Sequence, residues 1–281
     1  MNPALPHSLV LSRITLASCL VGIGGCYQET VPAPETTVHT LTMLLNDPEA
    51  SVRHTAADAL GKIGDHSAES VLVRSLHDAE PAVREAAARG LSRLSSLRPE
   101  TAAELVLLLQ DSHPVVRRTA AQALGGAEAD AGLVSSLEAL LSSADATVRQ
   151  SAVHALFLLD AGQASTVDVL SRRITDTDPV VRRWAVAALA ESGDPRAVSL
   201  VMDRLRHDPV EDVRAEAAYR LRFLGDGSIV DELKAVAQRG ENAEISRWTV
   251  TSQRALRKGP DFDSAPLPDP LTAPVPSHQS P

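Results

Sequence analysis

An aspartate and an arginine six residues apart are a pair that chemistry can use, as a proton-transfer couple or as a clamp on a phosphate. This sequence carries the pair repeatedly: Asp47 and Arg53, Asp78 and Arg84, Asp111 and Arg117, Asp176 and Arg182, Asp208 and Arg214. Between the third and fourth of these, Arg149 recurs with Ser143 at the aspartate position. Successive arginines lie 31, 33, 32, 33 and 32 residues apart. A catalytic site is singular, whereas a scaffold element repeats, so the recurring pairs are read as structure.

Other candidate chemistry is sparse. None of the nine histidines forms a His-Glu dipeptide, and none stands at metal-ligand spacing from another His or a Cys. There is no Gly-rich phosphate loop and no nucleophile elbow, so the reading is of a protein that is not an enzyme and carries no cofactor or metal. The formal charge is −9, with only three lysines, Lys62, Lys234 and Lys258. A net-acidic chain of this kind is a poor partner for nucleic acid.

The elements that position these residues follow from the same register. Each recurring Arg follows a Val, and counting from that Val the residue at plus four is always Ala and at plus eight always Leu. In the third copy Val116, Ala120, Ala123 and Leu124 share one face of a helix. The Asp at minus five is expected to be its N-cap, with Pro48 and Pro209 at the first helical position of their copies. Gly61, Gly64 and Gly125 are expected to close helices as C-caps. The segment before each Asp, such as 101–110, is a second apolar-periodic helix. Every period is thus a helical hairpin, and a period in this range means a solenoid. Seven hairpins are expected, beginning near Thr36, Ser67, Arg98, Asp130, Gln163, Asp194 and Asp226. The seventh keeps Ile245 at the Val position but has Ser246 and Gln253 in place of Arg and Leu, and reads as a terminal cap.

These residues resemble the HEAT repeat, in the short variety named after the phycobilisome lyases. The resemblance implies an all-α fold, an α-solenoid in which the Asp and Arg side chains form a ladder between repeats. In the middle of the stack, Asp111 and Arg117 are expected to be partly buried. Ser143 makes the fourth repeat the weakest joint unless Asp145 substitutes. Some HEAT-like proteins are tetrapyrrole lyase subunits or iron-dependent hydroxylases. The resemblance therefore leaves an enzyme-associated role as the alternative, although the hydroxylases rest on repeated His-Glu pairs that this sequence lacks.

The ends lie outside the repeats. Residues 14–25 are a mostly apolar run after Arg13, too short for a membrane span and right for a signal segment. The run closes with Ile23-Gly24-Gly25-Cys26, which resembles a bacterial lipobox. Residues 1–26 are read as a lipoprotein-type signal peptide with Cys26 as the lipidation site, and 27–35 as a tether. A single acylated cysteine anchors a chain to a membrane surface without spanning it, here the bacterial cell envelope. The solenoid is read as 36–257, and 258–281, rich in proline, as a disordered tail.

Departures from the repeat are the candidates for recognition. The second helix of each hairpin is expected to line the concave face, with positions three and six after the Val facing a partner. Large amphipathic side chains cluster in the fourth to sixth repeats at or beside these positions, His154, Arg183, Trp184 and Tyr219, with Trp, Tyr and Arg the types that dominate interfaces. They are the candidate anchors for a protein or peptide partner. The competing reading is that Trp184 and Tyr219 fill gaps between repeats.

Overall fold

A computed structural model of the protein describes residues 34–159, 164–224, 229–239 and 243–258. Cys26 and the tail beyond Lys258 lie outside the described residues. The chain divides into two units, residues 1–37 and 38–281. Of the first, only 34–37 are described, as the opening turn of a helix.

Among the described residues there are fourteen α-helices and no strand. They pair as α1 (Pro34–Leu44) with α2 (Ala50–Ile63), α3 (Glu69–Ser75) with α4 (Pro81–Leu91), and α5 (Pro99–Leu108) with α6 (Pro114–Leu124). Next come α7 (Ala131–Leu140) with α8 (Ala146–Leu158), and α9 (Ala164–Arg173) with α10 (Pro179–Glu191). The last pairs are α11 (Arg196–His207) with α12 (Glu211–Leu224), and α13 (Val230–Arg239) with α14 (Ala243–Lys258). A short 3₁₀ turn, His66–Ala68, leads into α3. The fold is an α-solenoid. Each even-numbered helix packs on the next one, α2 on α4 and so on to α14, and from α3 onward each odd-numbered helix packs on its own hairpin partner. Of the joints between successive even-numbered helices, that between α6 and α8 shares the least contact.

Small residues make this stacking close. The Ala at plus four and the Leu at plus eight are buried in all six copies, from Ala56 and Leu60 to Ala217 and Leu221. The residue at plus five, Ala57, Ala88, Ala121, Val153, Val186 or Ala218, is buried as fully. Each buried Leu contributes roughly 1.5–3 kcal/mol, and the alanines let helix axes approach. Gly61 is the extreme case. It lies inside α2 and does not close it, and a side chain is excluded there because a Cβ would stand 2.4 Å from the Cα of Gly90 in α4. The α2 C-cap is Gly64, at φ 67°, whose N–H reaches the Leu60 carbonyl. Gly125 does follow α6 as its C-cap, in right-handed conformation.

The start of each second helix corrects the expected capping. The N-cap falls at minus three, on Glu49, Glu80, His113, Asp145 and Asp178. Of these, Asp145 and Asp178 accept amide bonds from the first turn. The Asp at minus five sits two residues outside the helix, where its Oδ1 accepts the N–H two residues on. Glu49 to Asp47, Glu80 to Asp78 and His113 to Asp111 are each 2.8–2.9 Å. It is an Asx turn, which a count along one strand of sequence cannot tell from a cap. Pro48 and Pro209 belong to these turns, and the prolines at the first helical position are Pro81, Pro114 and Pro179.

Candidate partner-binding face

The ladder side chains link neighbouring hairpins in a fixed direction. Four of the six arginines reach forward to the Asp of the next hairpin with Nε and Nη2. Arg53 holds Asp78 at 2.7 and 2.8 Å, Arg84 holds Asp111 at 2.7 and 2.9 Å. Arg149 holds Asp176 at 3.0 and 2.8 Å, and Arg182 holds Asp208 at 2.8 Å by both atoms. The remaining nitrogen, Nη1, points back and bonds the carbonyls of its own turn, such as Asp78 and Ala79 for Arg84. One guanidinium therefore fixes its own turn and the following one, a use of the planar fork that lysine cannot copy. Asp111, Asp176 and Asp208 are pushed up by burial, but the arginine fork and the backbone amide outweigh this and hold them below the usual carboxylate range. Asp78 is held low chiefly by Arg53.

The expected burial of Asp111 and Arg117 as one rung needs correction. Asp111 is partly buried, its side chain 9% exposed, but its partner is Arg84. Arg117 is half-buried and bonds only the carbonyls of Asp111 and Ser112, at 2.8 and 3.2 Å, among the described residues. Ser143 stands where its carboxylate would be. Asp145 feels the charge of Arg117 but gives Oδ1 to the Thr147 amide and hydroxyl and makes no bond to Arg117 among the described residues, so it does not replace the missing group. Arg214, the last of the series, bonds the Asp208 carbonyl at 2.7 Å.

The four candidate anchors occupy one connected cluster, yet most are not free. Trp184 is 2% and His154 4% exposed, and their rings stack at 4.2 Å with Phe157 against Trp184 at 5.2 Å. Position three after the Val is a contact position, since Ala86, Thr119, Ser151, Trp184 and Glu216 are all buried there. This overturns the expectation that it faces a partner. Arg183 is neutralised by Glu216 at 3.1 Å. Tyr219 is partly buried, with Trp248 edge-on at 4.7 Å and Phe223 at 5.8 Å.

Between the two ring groups lies a residue the sequence reading passed over. Arg220 takes the plus-seven position that alanine holds in most copies, and it is fully buried. It donates to Glu216 and to Glu191, each at 2.6 Å, and stands 5.7 Å from the ring centres of both Phe157 and Tyr219. The signal was present in the sequence as an Arg at an Ala position, four residues after a Glu.

What remains open to solvent is the ground above this cluster. A pocket of about 360 Å³ spans α6, α8 and α10. Arg117, Arg118, Thr147, Gln150, Ser151, His154 and Trp184 line it, with Val115 and Val180 at its edges. His154 and Trp184 therefore form its floor. A second hollow, about 270 Å³, lies between α5 and α7 and is largely apolar. Among the described residues no three His, Cys, Asp or Glu side chains are grouped to hold a metal, and no helix is long and apolar enough to cross a membrane.

A family model described as HEAT repeats matches residues 38–125 and 134–222, more than half of the chain. The chain belongs to the HEAT-repeat family. Among solved structures, this HEAT-repeat chain is similar to the Escherichia coli protein YibA. The two are 21% identical over 80% of this chain and 82% of that one, with a TM-score of 0.49. It is also similar to the complex of CpcE and CpcF of phycocyanin lyase from Nostoc sp. PCC7120, at 18% identity, 84% and 100% coverage and a TM-score of 0.47. Computationally designed armadillo repeat proteins for modular peptide recognition match at 21% identity over 67% of this chain and all of theirs, with a TM-score of 0.41. No curated protein matches the chain.

Proposed function

We propose that this HEAT-repeat protein is a non-catalytic scaffold. In this reading an acylated Cys26 tethers it to a bacterial cell envelope, and a protein or peptide partner lies across the concave face formed by its second helices. The observation that carries the reading is the division of labour among the charged side chains. Most of the recurring Asp and Arg residues are taken up by four rungs of the ladder, while His154 and Trp184, two of the departures, floor a pocket over α6, α8 and α10 beside Arg117, whose rung is missing. The lipid tether rests on the lipobox-like Ile23–Cys26 alone.

Position-resolved cross-linking in the native envelope tests the scaffold. A photo-reactive side chain at Arg118 or Gln150, both at the pocket, is expected to give one shared adduct that a probe at the exposed Leu107 of α5 does not. Adducts that are absent, or the same from all three positions, sink the reading. Cys26→Ser is expected to release the chain from the membrane fraction, and retention with acylation intact would exclude the tether.

A further inference from the structure

Four complete rungs show what the Nε and Nη2 edge of a ladder arginine holds in this fold: a carboxylate, gripped by both nitrogens. At the third-to-fourth joint the chain supplies none. Ser143 has replaced the aspartate, its Oγ accepts the Asp145 amide, and Arg117 keeps only its two carbonyl bonds. This is also where α6 and α8 share the least contact, and the pocket of about 360 Å³ opens there with Arg117 in its wall.

The electrostatics of that wall favour an anion. Arg118 lies beside Arg117 and is exposed, and no carboxylate lines the pocket. Asp145, whose charge acts on Arg117, and Asp178 lie outside the lining, and among the described residues neither forms an ion pair with Arg117 or Arg118. Asp145 accepts from Thr147, and Asp178 accepts from the Val180 and Val181 amides and from Gln150 Nε2. The floor is of a different character, being the stacked rings of His154 and Trp184. A cationic wall above an aromatic floor, in a volume that fits one or two side chains, matches a short segment with a carboxylate next to an apolar residue.

Resting on the scaffold reading, we propose that this pocket takes an Asp or Glu side chain of the partner protein, gripped by Arg117, so that the partner completes the missing rung. The net-acidic chain disfavours a nucleic-acid phosphate in its place.

The test uses the full chain and two synthetic peptides, acetyl-Ala-Glu-Leu-Glu-Ala-amide and its Gln counterpart, titrated by ¹H–¹⁵N NMR. The Glu peptide is expected to shift the amides of 147–151 and the Trp184 indole N–H, and to bind about tenfold more tightly than the Gln peptide. Ser143→Asp supplies the carboxylate in cis and is expected to raise the melting temperature while abolishing that binding. The raised melting temperature would show that the variant keeps the fold, so that a lost signal is not lost structure. Equal binding of the two peptides, no binding, or unchanged binding to Ser143→Asp overturns the proposal. Occupation by this chain's own residues 259–281 would appear as tighter peptide binding once they are deleted, and overturns the assignment to a partner. If the cross-linked adduct at Gln150 persists in Ser143→Asp, the pocket assignment fails and the scaffold stands. If wild type gives no adduct, the scaffold reading itself fails.

Discussion

Arg182 grips both carboxylate oxygens of Asp208 at 2.8 Å, and the two side chains are only 8% and 0% exposed. No other rung of the ladder is so enclosed. That of Arg53 and Asp78 is 15% and 12% exposed. Removing one member of a buried pair strands the other without water. Asp208→Ala is therefore expected to cost about 3–5 kcal/mol in urea unfolding, more than Asp78→Ala. A loss below about 1 kcal/mol would place the pair in the solvent-screened regime.

Arg117 makes no ion pair among the described residues, so Arg117→Ala is expected to cost less than Arg84→Ala or Arg149→Ala. Ser143→Asp, which restores the rung, is expected to add about 1 kcal/mol. Urea midpoints of the four variants give the order directly, and an Arg117→Ala loss equal to that of Arg84→Ala contradicts it.

Acid should undo the ladder. Asp78, Asp111, Asp176 and Asp208 titrate below the usual carboxylate range when folded. A carboxyl whose pKa is depressed by folding stabilises the native state above its unfolded value, near about 3.9. That contribution is lost as the pH falls through the folded pKa. Stability from these groups is expected to be level above about pH 5 and to fall below about pH 4. Asp208→Asn is expected to flatten the decline. A wild-type urea midpoint equal at pH 3 and pH 6 would show that the four carboxylates have no such role.

Gly61→Ala pits two effects against each other. Alanine gains up to about 1 kcal/mol in helix propensity. Its Cβ, however, meets the Gly90 Cα at 2.4 Å, backbone against backbone, so α2 and α4 must move apart. Overpacking of this kind costs about 1–3 kcal/mol, and the variant is expected to melt below wild type. At Gly90 the nearest atoms are 3.2–3.3 Å away and include the movable Leu72 side chain, so Gly90→Ala is expected to be milder. Thermal melts of both decide the order.

The hairpins were legible in the sequence because they repeat. The Val–Ala–Leu register and the Asp–Arg spacing recur, and helix periodicity needs nothing from outside the segment. What was misread depends on neighbours along the stack. The Asp at minus five looks like an N-cap within one hairpin, but its second role is set by an arginine 25–27 residues earlier. Trp184 and Glu216 look outward on a lone helix and are covered once the preceding second helix lies against them, through His154 and Phe157 for the one and Arg183 for the other. Arg220 was hidden for the opposite reason. A buried guanidinium is tolerable only with Glu216, Glu191 and two rings around it, and three separate helices supply those groups.

The forward reach of each ladder arginine bears on how such a chain can change length. A hairpin with both groups, such as that of Asp78 and Arg84 or of Asp176 and Arg182, brings one outgoing grip and one incoming receptor, so excising it whole rejoins compatible ends. If the fourth hairpin were cut out, Arg117 would meet Asp176 in the register its own neighbour denies it. Copy number is then a freely adjustable trait of this architecture, whereas a shift by a fraction of a period leaves every grip downstream closing on the wrong residue.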